Sequence, residues 1–251
     1  FRRLFCGKEA CHKKINYKAA RSGGVRRPKT MKIVLLPGLD GTGNLFNSLL
    51  TFLPVEDVTV IALPQVGDQT YEALTEYCQA LIPKEPYVLV AESFSGPIGI
   101  ILASMDAGLM KRLVLVATFA SPPKPFVSKI CSFLPIKGLM RLPLSGLASR
   151  VLFLGFSTSK EVLDGFLSSV ASVPSGVIAQ RLRVVSSFDC GVSTLNVPVV
   201  YIQPTNDALV PKKCFRFIEG VAGNIELKRV AGPHFILQSK PEACAEIITS
   251  G

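Results

Sequence analysis

Histidine is the scarcest chemically useful side chain in this 251-residue sequence. There are two, and one of them, His12, lies in a basic stretch ahead of the first strand-like run. With one histidine left for the folded part, and no cysteines or carboxylates paired at ligand spacing, no metal site is expected and no cofactor is called for. The seven cysteines (Cys6, Cys11, Cys78, Cys131, Cys190, Cys214, Cys244) are odd in number and scattered. Cys6, Cys11 and His12 do not make a zinc spacing. Reduced, mostly buried thiols fit this usage better than a disulfide framework. Long apolar runs are missing too: Arg150 divides the best candidate, "LPLSGLASRVLFLGF", so no stretch reaches 18 uninterrupted apolar residues. Internal repeats and low-complexity tracts are also lacking. These absences predict a soluble, cytoplasmic protein.

Charge is scarce in all but one place. The formal net charge is +10, but residues 1 to 30 carry ten Lys/Arg against Glu9 alone, whereas from Met31 onward 18 basic side chains face 17 acidic ones. The basic head has no apolar core of the length a secretory signal needs and no heptad or strand pattern, and it reads as disordered. Met31 is the first methionine and stands directly ahead of the first strand, so residues 1 to 30 are expected to be non-native, upstream-frame sequence. The alternative is a polybasic tail in weak contact with an anionic membrane surface or nucleic acid; the basic and apolar run "KICSFLPIKGLMRLPLSGLASRVLFLGF" is the other candidate for weak membrane-surface contact, which buried helices explain equally well. A dedicated nucleic-acid binder spreads basic residues over a folded face among aromatic side chains, and that arrangement is absent.

What the rest contains is a rhythm of short runs rich in Val, Ile and Leu: "KIVLLPG" (32–38), "VTVIALP" (58–64), "YVLVAES" (87–93), "RLVLVATFA" (112–120), "VPVVYIQP" (197–204) and "IELKRVAG" (225–232). Helical patterns separate them. Most are apolar on both alternating faces, as parallel strands covered by helices on either side must be. The expectation is one α/β domain over 31–251, with a mostly parallel, doubly wound sheet of about six strands. The interval 121–196 breaks the rhythm. Its Phe and Leu residues come with Pro and Gly punctuation, which predicts a small helical cap inserted at about 122–190.

In such a sheet, ligands sit at the carboxyl ends of the strands. "VLVAESFSGPIG" (88–99) runs from a strand through two serines into a helical pattern, "GPIGIILASMDAGL", in whose first turn Pro97 is tolerated. A nucleophile on so sharp a turn needs small residues two places before and after it. The match centred on Ser93 has Ala91 and Ser95 where G-x-S-x-G has glycines, whereas centring on Ser95 would put Pro97 in the close-packed position. A serine is a weak nucleophile until a base takes its proton, and the base needs an orienting acid. His234, in "RVAGPHFILQSKP", follows the last strand, and Asp207, in "YIQPTNDALVP", follows the one before. No acidic residue follows the strand at 112–120.

A fourth segment, "LLPGLDGTGNLF" (35–46), follows the first strand. It is not a phosphate-binding loop, because Asn44 and Leu45 stand where Lys and Ser/Thr are required, and Phe46 stands where the dinucleotide pattern needs glycine. The remaining role is an oxyanion loop, with backbone N–H donors assigned to Leu39 and to Phe94, the residue after the nucleophile. Glu92 is left as either a hydrogen-bonding group below the site or a polar edge residue.

Together these four segments resemble the α/β-hydrolase superfamily, in a compact, prokaryotic-type form lacking the antiparallel hairpin that often precedes the first parallel strand. The resemblance covers about 31–250. It implies a Ser93–His234–Asp207 triad and hydrolysis of an ester or thioester of a small to medium apolar substrate, with acyl transfer, haloperoxidase or C–C bond hydrolase chemistry as alternatives on the same triad. A different class, a non-catalytic ligand-binding protein, would be under no chemical demand to keep all three residues.

Overall fold

Six runs of branched and apolar residues form six strands: β1 (Lys32–Leu36), β2 (Val58–Val60), β3 (Tyr87–Glu92), β4 (Met110–Val116), β5 (Val199–Pro204) and β6 (Ile225–Val230). The structure, a computed structural model, describes residues 31–106, 108–121, 160–188, 191–192 and 194–250. The basic segment 1–30 and much of the expected cap, 122–159 and 189–190, lie outside the described residues. All pairings are parallel, in the order β2-β1-β3-β4-β5-β6. The strand order reverses at β1 and β3, so the crevice between their carboxyl ends is the expected ligand position.

The period-two alternation of side chains divides the core into two layers. Val34, Leu36, Leu89, Ala91, Leu113, Leu115, Val199 and Tyr201 face one way, against α2 (Tyr71–Leu81), α3 (Gly96–Ser104) and, later in the chain, Cys214 and Ile218 of α6 (Cys214–Val221). Ile33, Leu35, Val88, Val90, Val114, Val116, Val200 and Ile202 face the other, against α1 (Asn47–Leu50), α7 (Ile236–Ser239) and α8 (Pro241–Thr249). This is the doubly wound arrangement expected from the sequence. The helix α3 is apolar all round, which suits an element enclosed by the sheet on one side and α2 on the other. It stops at Ser104, five residues short of the helical pattern read from the sequence, because Asp106 instead accepts the Gly108 and Met110 N–H groups and turns the chain into β4.

Two helices fall inside the expected cap, α4 (Lys160–Ser172) and α5 (Ser175–Ser187). Phe166 of α4 meets Phe235 edge-on at 5.2 Å, amid Leu45, Val162, Leu163 and Leu167. Val177 and Ile178 of α5 pack with Leu39. Both helices therefore rest on loops at the carboxyl end of the sheet. Among the described residues no single helix is long and apolar enough to cross a membrane, and the two that together have the composition are bent by 96°. Cys78, Cys214 and Cys244 are free and buried.

Candidate active site

The turn after β3 is tight. Ser93 has φ 49, in the left-handed region that costs a non-glycine residue about 1–3 kcal/mol. Close packing on both sides forces this bend. A Cβ on Gly96 would fall 1.9 Å from Thr118 Oγ1, and one on Gly99 would fall 2.9 Å from the Ala91 Cβ, so these glycines let α3 lie against the sheet. Alanine at the minus-two position fits because Gly99 faces it. Serine at plus two does more than fit: the fully buried Ser95 donates its Oγ–H to the Pro37 carbonyl at 2.5 Å. Thr118 Oγ1 donates to the Ser93 carbonyl at 2.5 Å, and the Tyr201 hydroxyl donates to the Thr118 carbonyl at 2.8 Å. The elbow is tied to β1 on one flank and to β4 and β5 on the other.

Two hydrogen bonds join the three side chains singled out from the sequence. Ser93 Oγ lies 2.9 Å from His234 Nε2, and His234 Nδ1 lies 2.8 Å from Asp207 Oδ2. They come from the ends of β3, β6 and β5. Both the imidazole and the carboxylate are buried, at 3 % side-chain exposure each. The Asp207 Oδ1 accepts from the Leu209 and Val210 N–H groups, so one oxygen caps its own loop and the other meets the ring. Phe235 lies edge-on to the imidazole at 5.4 Å. The chain Ser–His–Asp can relay polarisation but leaves the serine proton with an acceptor on one side only, as a general base requires.

The loop after β1 runs alongside. A Cβ built on Gly38 would stand 3.8 Å from the Ser93 Cβ, which puts the Leu39 peptide beside the serine. Gly41 N–H bonds back to the Gly38 carbonyl at 3.0 Å, closing a turn in which Gly41 takes φ 70. Phe94 opens the turn into α3, where helix geometry leaves N–H groups without intrahelical acceptors. Glu92 is buried under the site, not at a polar edge. It accepts from Gln238 Nε2 at 3.0 Å and from the Gly38 N–H. Burial first, and then the nearby Asp40 carboxylate, push its carboxyl up to about 8 against the pull of those two hydrogen bonds.

Several residues that organise this site were not singled out in the sequence. Asp40 Oδ2 accepts from Thr42 N–H at 3.0 Å, from Thr42 Oγ1 at 2.5 Å and from Ser169 Oγ of α4 at 2.8 Å. Arg181 of α5 is fully buried and spreads its guanidinium over Gln69, Leu39 and Pro64. A signal was present: Val177, Arg181 and Val185 recur every fourth residue, so a cation stands in the apolar stripe of its own helix. Ser169 likewise shares a face with Phe166 and Val173. Among the described residues no group of three or more His, Cys, Asp or Glu is placed to hold a metal ion.

No family model matches the chain, and no curated protein matches it. Solved structures do. An enol-lactonase from Burkholderia xenovorans superposes with TM-score 0.73 at 16% identity, over 90% of this chain and 92% of that one. An esterase from Exiguobacterium antarcticum gives TM-score 0.73 at 13% identity, over 87% of this chain and 90% of that one. A bromoperoxidase from Bacillus anthracis gives TM-score 0.73 at 14% identity, with the same coverage of 87% and 90%. At these identities the likeness is one of fold, and the chain has the α/β-hydrolase fold.

Proposed function

We propose that this α/β-hydrolase-fold chain is a serine hydrolase that cleaves an ester or thioester of a small to medium apolar acyl compound. The observation that carries the reading is the unbroken Ser93 Oγ, His234 Nε2, Nδ1, Asp207 Oδ2 line at 2.9 and 2.8 Å. In the reaction, His234 Nε2 takes the Ser93 proton as Oγ attacks the carbonyl carbon. Negative charge gathers on the carbonyl oxygen, facing the Leu39 and Phe94 N–H groups. His234 hands its proton to the departing alkoxide or thiolate, leaving the acyl group on Ser93. Water enters, gives a proton to His234 and attacks; the acid leaves and Ser93 regains its proton. Asp207 keeps Nδ1 protonated throughout, so that Nε2 is the free base.

The apolar preference rests on what packs beside the triad: Phe235, Phe166, Leu45 and Leu39. The proposed substrate is a small molecule and the proposed setting the cytoplasm, a reducing compartment that suits three free thiols. A panel of nitrophenyl esters and acyl thioesters of increasing chain length tests the reading. The parent protein should turn over the shorter apolar members, and Ser93→Ala and His234→Ala should each lose up to about 10⁶-fold in kcat. A folded parent that turns over none of them contradicts it. A second reading is acyl transfer to an acceptor other than water on the same three residues; the solved structures this fold resembles carry different names, lactonase, esterase and bromoperoxidase, and share the fold alone. Product analysis with added alcohol, amine and peroxide acceptors separates the two.

A further inference from the structure

Arg181 is fully buried, on a helix that otherwise turns Val177, Ile178 and Val185 inward. Burying a guanidinium costs several kcal/mol unless its donors are met, and an apolar side chain would fill the same space without that cost. The donors are met by three segments far apart in sequence. Nη1 donates to the Leu39 carbonyl at 2.8 Å, Nη2 to the Pro64 carbonyl at 3.0 Å and Nε to Gln69 Oε1 at 2.9 Å. Its carbon centre also lies 5.7 Å from the Phe94 ring centroid. A Cβ on Gly41 would fall 2.3 Å from Nη1, so the turn of the β1 loop lies directly on the guanidinium. Burial lowers its pKa to about 10, with the Asp40 carboxylate opposing that shift, so it stays a cation at neutral pH.

The partners of successive peptide groups show what this accomplishes. The Pro37–Gly38 peptide is held at both ends, its carbonyl by Ser95 and its N–H by Glu92. The Gly38–Leu39 peptide, which carries the Leu39 N–H, has its carbonyl held by Gly41. The Leu39–Asp40 peptide has its carbonyl held by Arg181. The donor-bearing peptide is thus fixed between two pinned neighbours. We propose that Arg181 is a positioning residue for oxyanion binding: delivered from α5, it holds the Leu39 carbonyl and so aims the Leu39 N–H before substrate arrives, while its guanidinium packs over the side-chain ring of Phe94, the other residue assigned as a donor. The inference rests on the hydrolase reading above, and it couples the seating of α5 to the chemistry at Ser93.

Steady-state kinetics on one nitrophenyl ester, together with the rate of Ser93 modification by a fluorophosphonate, test it in the full chain. The proteins are the parent, Arg181→Ala and Arg181→Lys, each checked for cooperative thermal unfolding. Misaiming a donor costs about 10²-fold in rate, so both variants should lose about that factor in kcat with KM changed by about twofold or less. Millimolar guanidinium ion should restore part of the lost rate to Arg181→Ala and none to Arg181→Lys, whose ammonium occupies the place without the planar fork. A role in stability alone predicts lower unfolding temperatures with kcat preserved in the folded fraction and no rescue, and that result overturns the proposal. If Arg181→Ala does not fold, the Lys variant decides: parent-like kcat in the folded Lys variant also overturns it. A parent that neither hydrolyses the ester nor reacts with the probe defeats the hydrolase reading itself and the inference with it, whereas a reactive parent keeps the two questions apart.

Discussion

On the β1–β3 side of the site, a strained serine and a glycine-bearing loop are held by hydrogen bonds donated by Ser95, Thr118 and Arg181 and accepted by Glu92, contributed by the elbow, by the end of β4 and by α5. On the β5–β6 side, Asp207 binds the N–H groups of its own loop at Leu209 and Val210, and His234 is placed by that carboxylate and by its neighbour Phe235. Under the proposed hydrolase reading, the first side must fix backbone donors, whose direction depends on every adjoining peptide, and distant side chains hold that loop. The second side must fix one side chain, and a local turn is enough. Preorganised donors act only if they are aimed before the charge develops. The two halves therefore differ in how far through the fold their support extends.

Asp207→Asn breaks the comparison most sharply. The amide oxygen can still accept from Leu209 and Val210, so the loop and the unfolding temperature should survive, while kcat falls about 10⁴-fold as the imidazole loses its tautomer control. Ser95→Ala should do the opposite kind of damage. It leaves the buried Pro37 carbonyl without a donor, costing about 1–3 kcal/mol of stability, and kcat should fall about tenfold through the displaced loop. Urea unfolding combined with ester kinetics reads both variants. Ser93→Gly removes the nucleophile and the strain together, so it should be inactive and more stable than Ser93→Ala by about 1 kcal/mol. An equal stability for the two would mean the elbow is not strained.

The last expected effect is a slope with pH. Glu92 titrates at about 8 in the folded chain, against an ordinary value of 4.5. Between those values the folded state keeps a proton that the unfolded state has lost. Its contribution to stability is therefore full below about 4.5, falls as pH rises and is gone above about 8. Unfolding temperatures measured between about pH 5 and 9 should fall more steeply for the parent than for Glu92→Gln, which carries no titrating group there. Parallel slopes would remove Glu92 from the account.

The same contrast explains what the sequence makes legible. The six strands are readable because each is a short run rich in Val, Ile and Leu; β1, β3, β4 and β5 are largely buried on both faces, whereas the edge strands β2 and β6 are mostly half-buried or exposed. β2 is much shorter than its run, because once the Ile61 N–H has bonded to the Leu35 carbonyl the chain turns to the loop at Gly41. Ser93, Asp207 and His234 are readable because each sits just beyond a strand, in the chain order that the proposed hydrolase reading requires. Arg181, Thr118 and Gln238 are not, because their meaning lies in partners far away in sequence: a guanidinium in an apolar stripe is visible, but the carbonyls it meets are not. Glu92 was visible as a residue and undecided as a group until β3 and Gln238 enclosed it.

The most direct test of the account is intact-mass labelling with a fluorophosphonate, followed by peptide mapping, on the parent, Ser93→Ala and His234→Ala. The account predicts a single adduct on Ser93 of the parent, none on Ser93→Ala, and labelling of His234→Ala slowed by orders of magnitude. No adduct on a folded parent, or an adduct mapped to any residue other than Ser93, would contradict it.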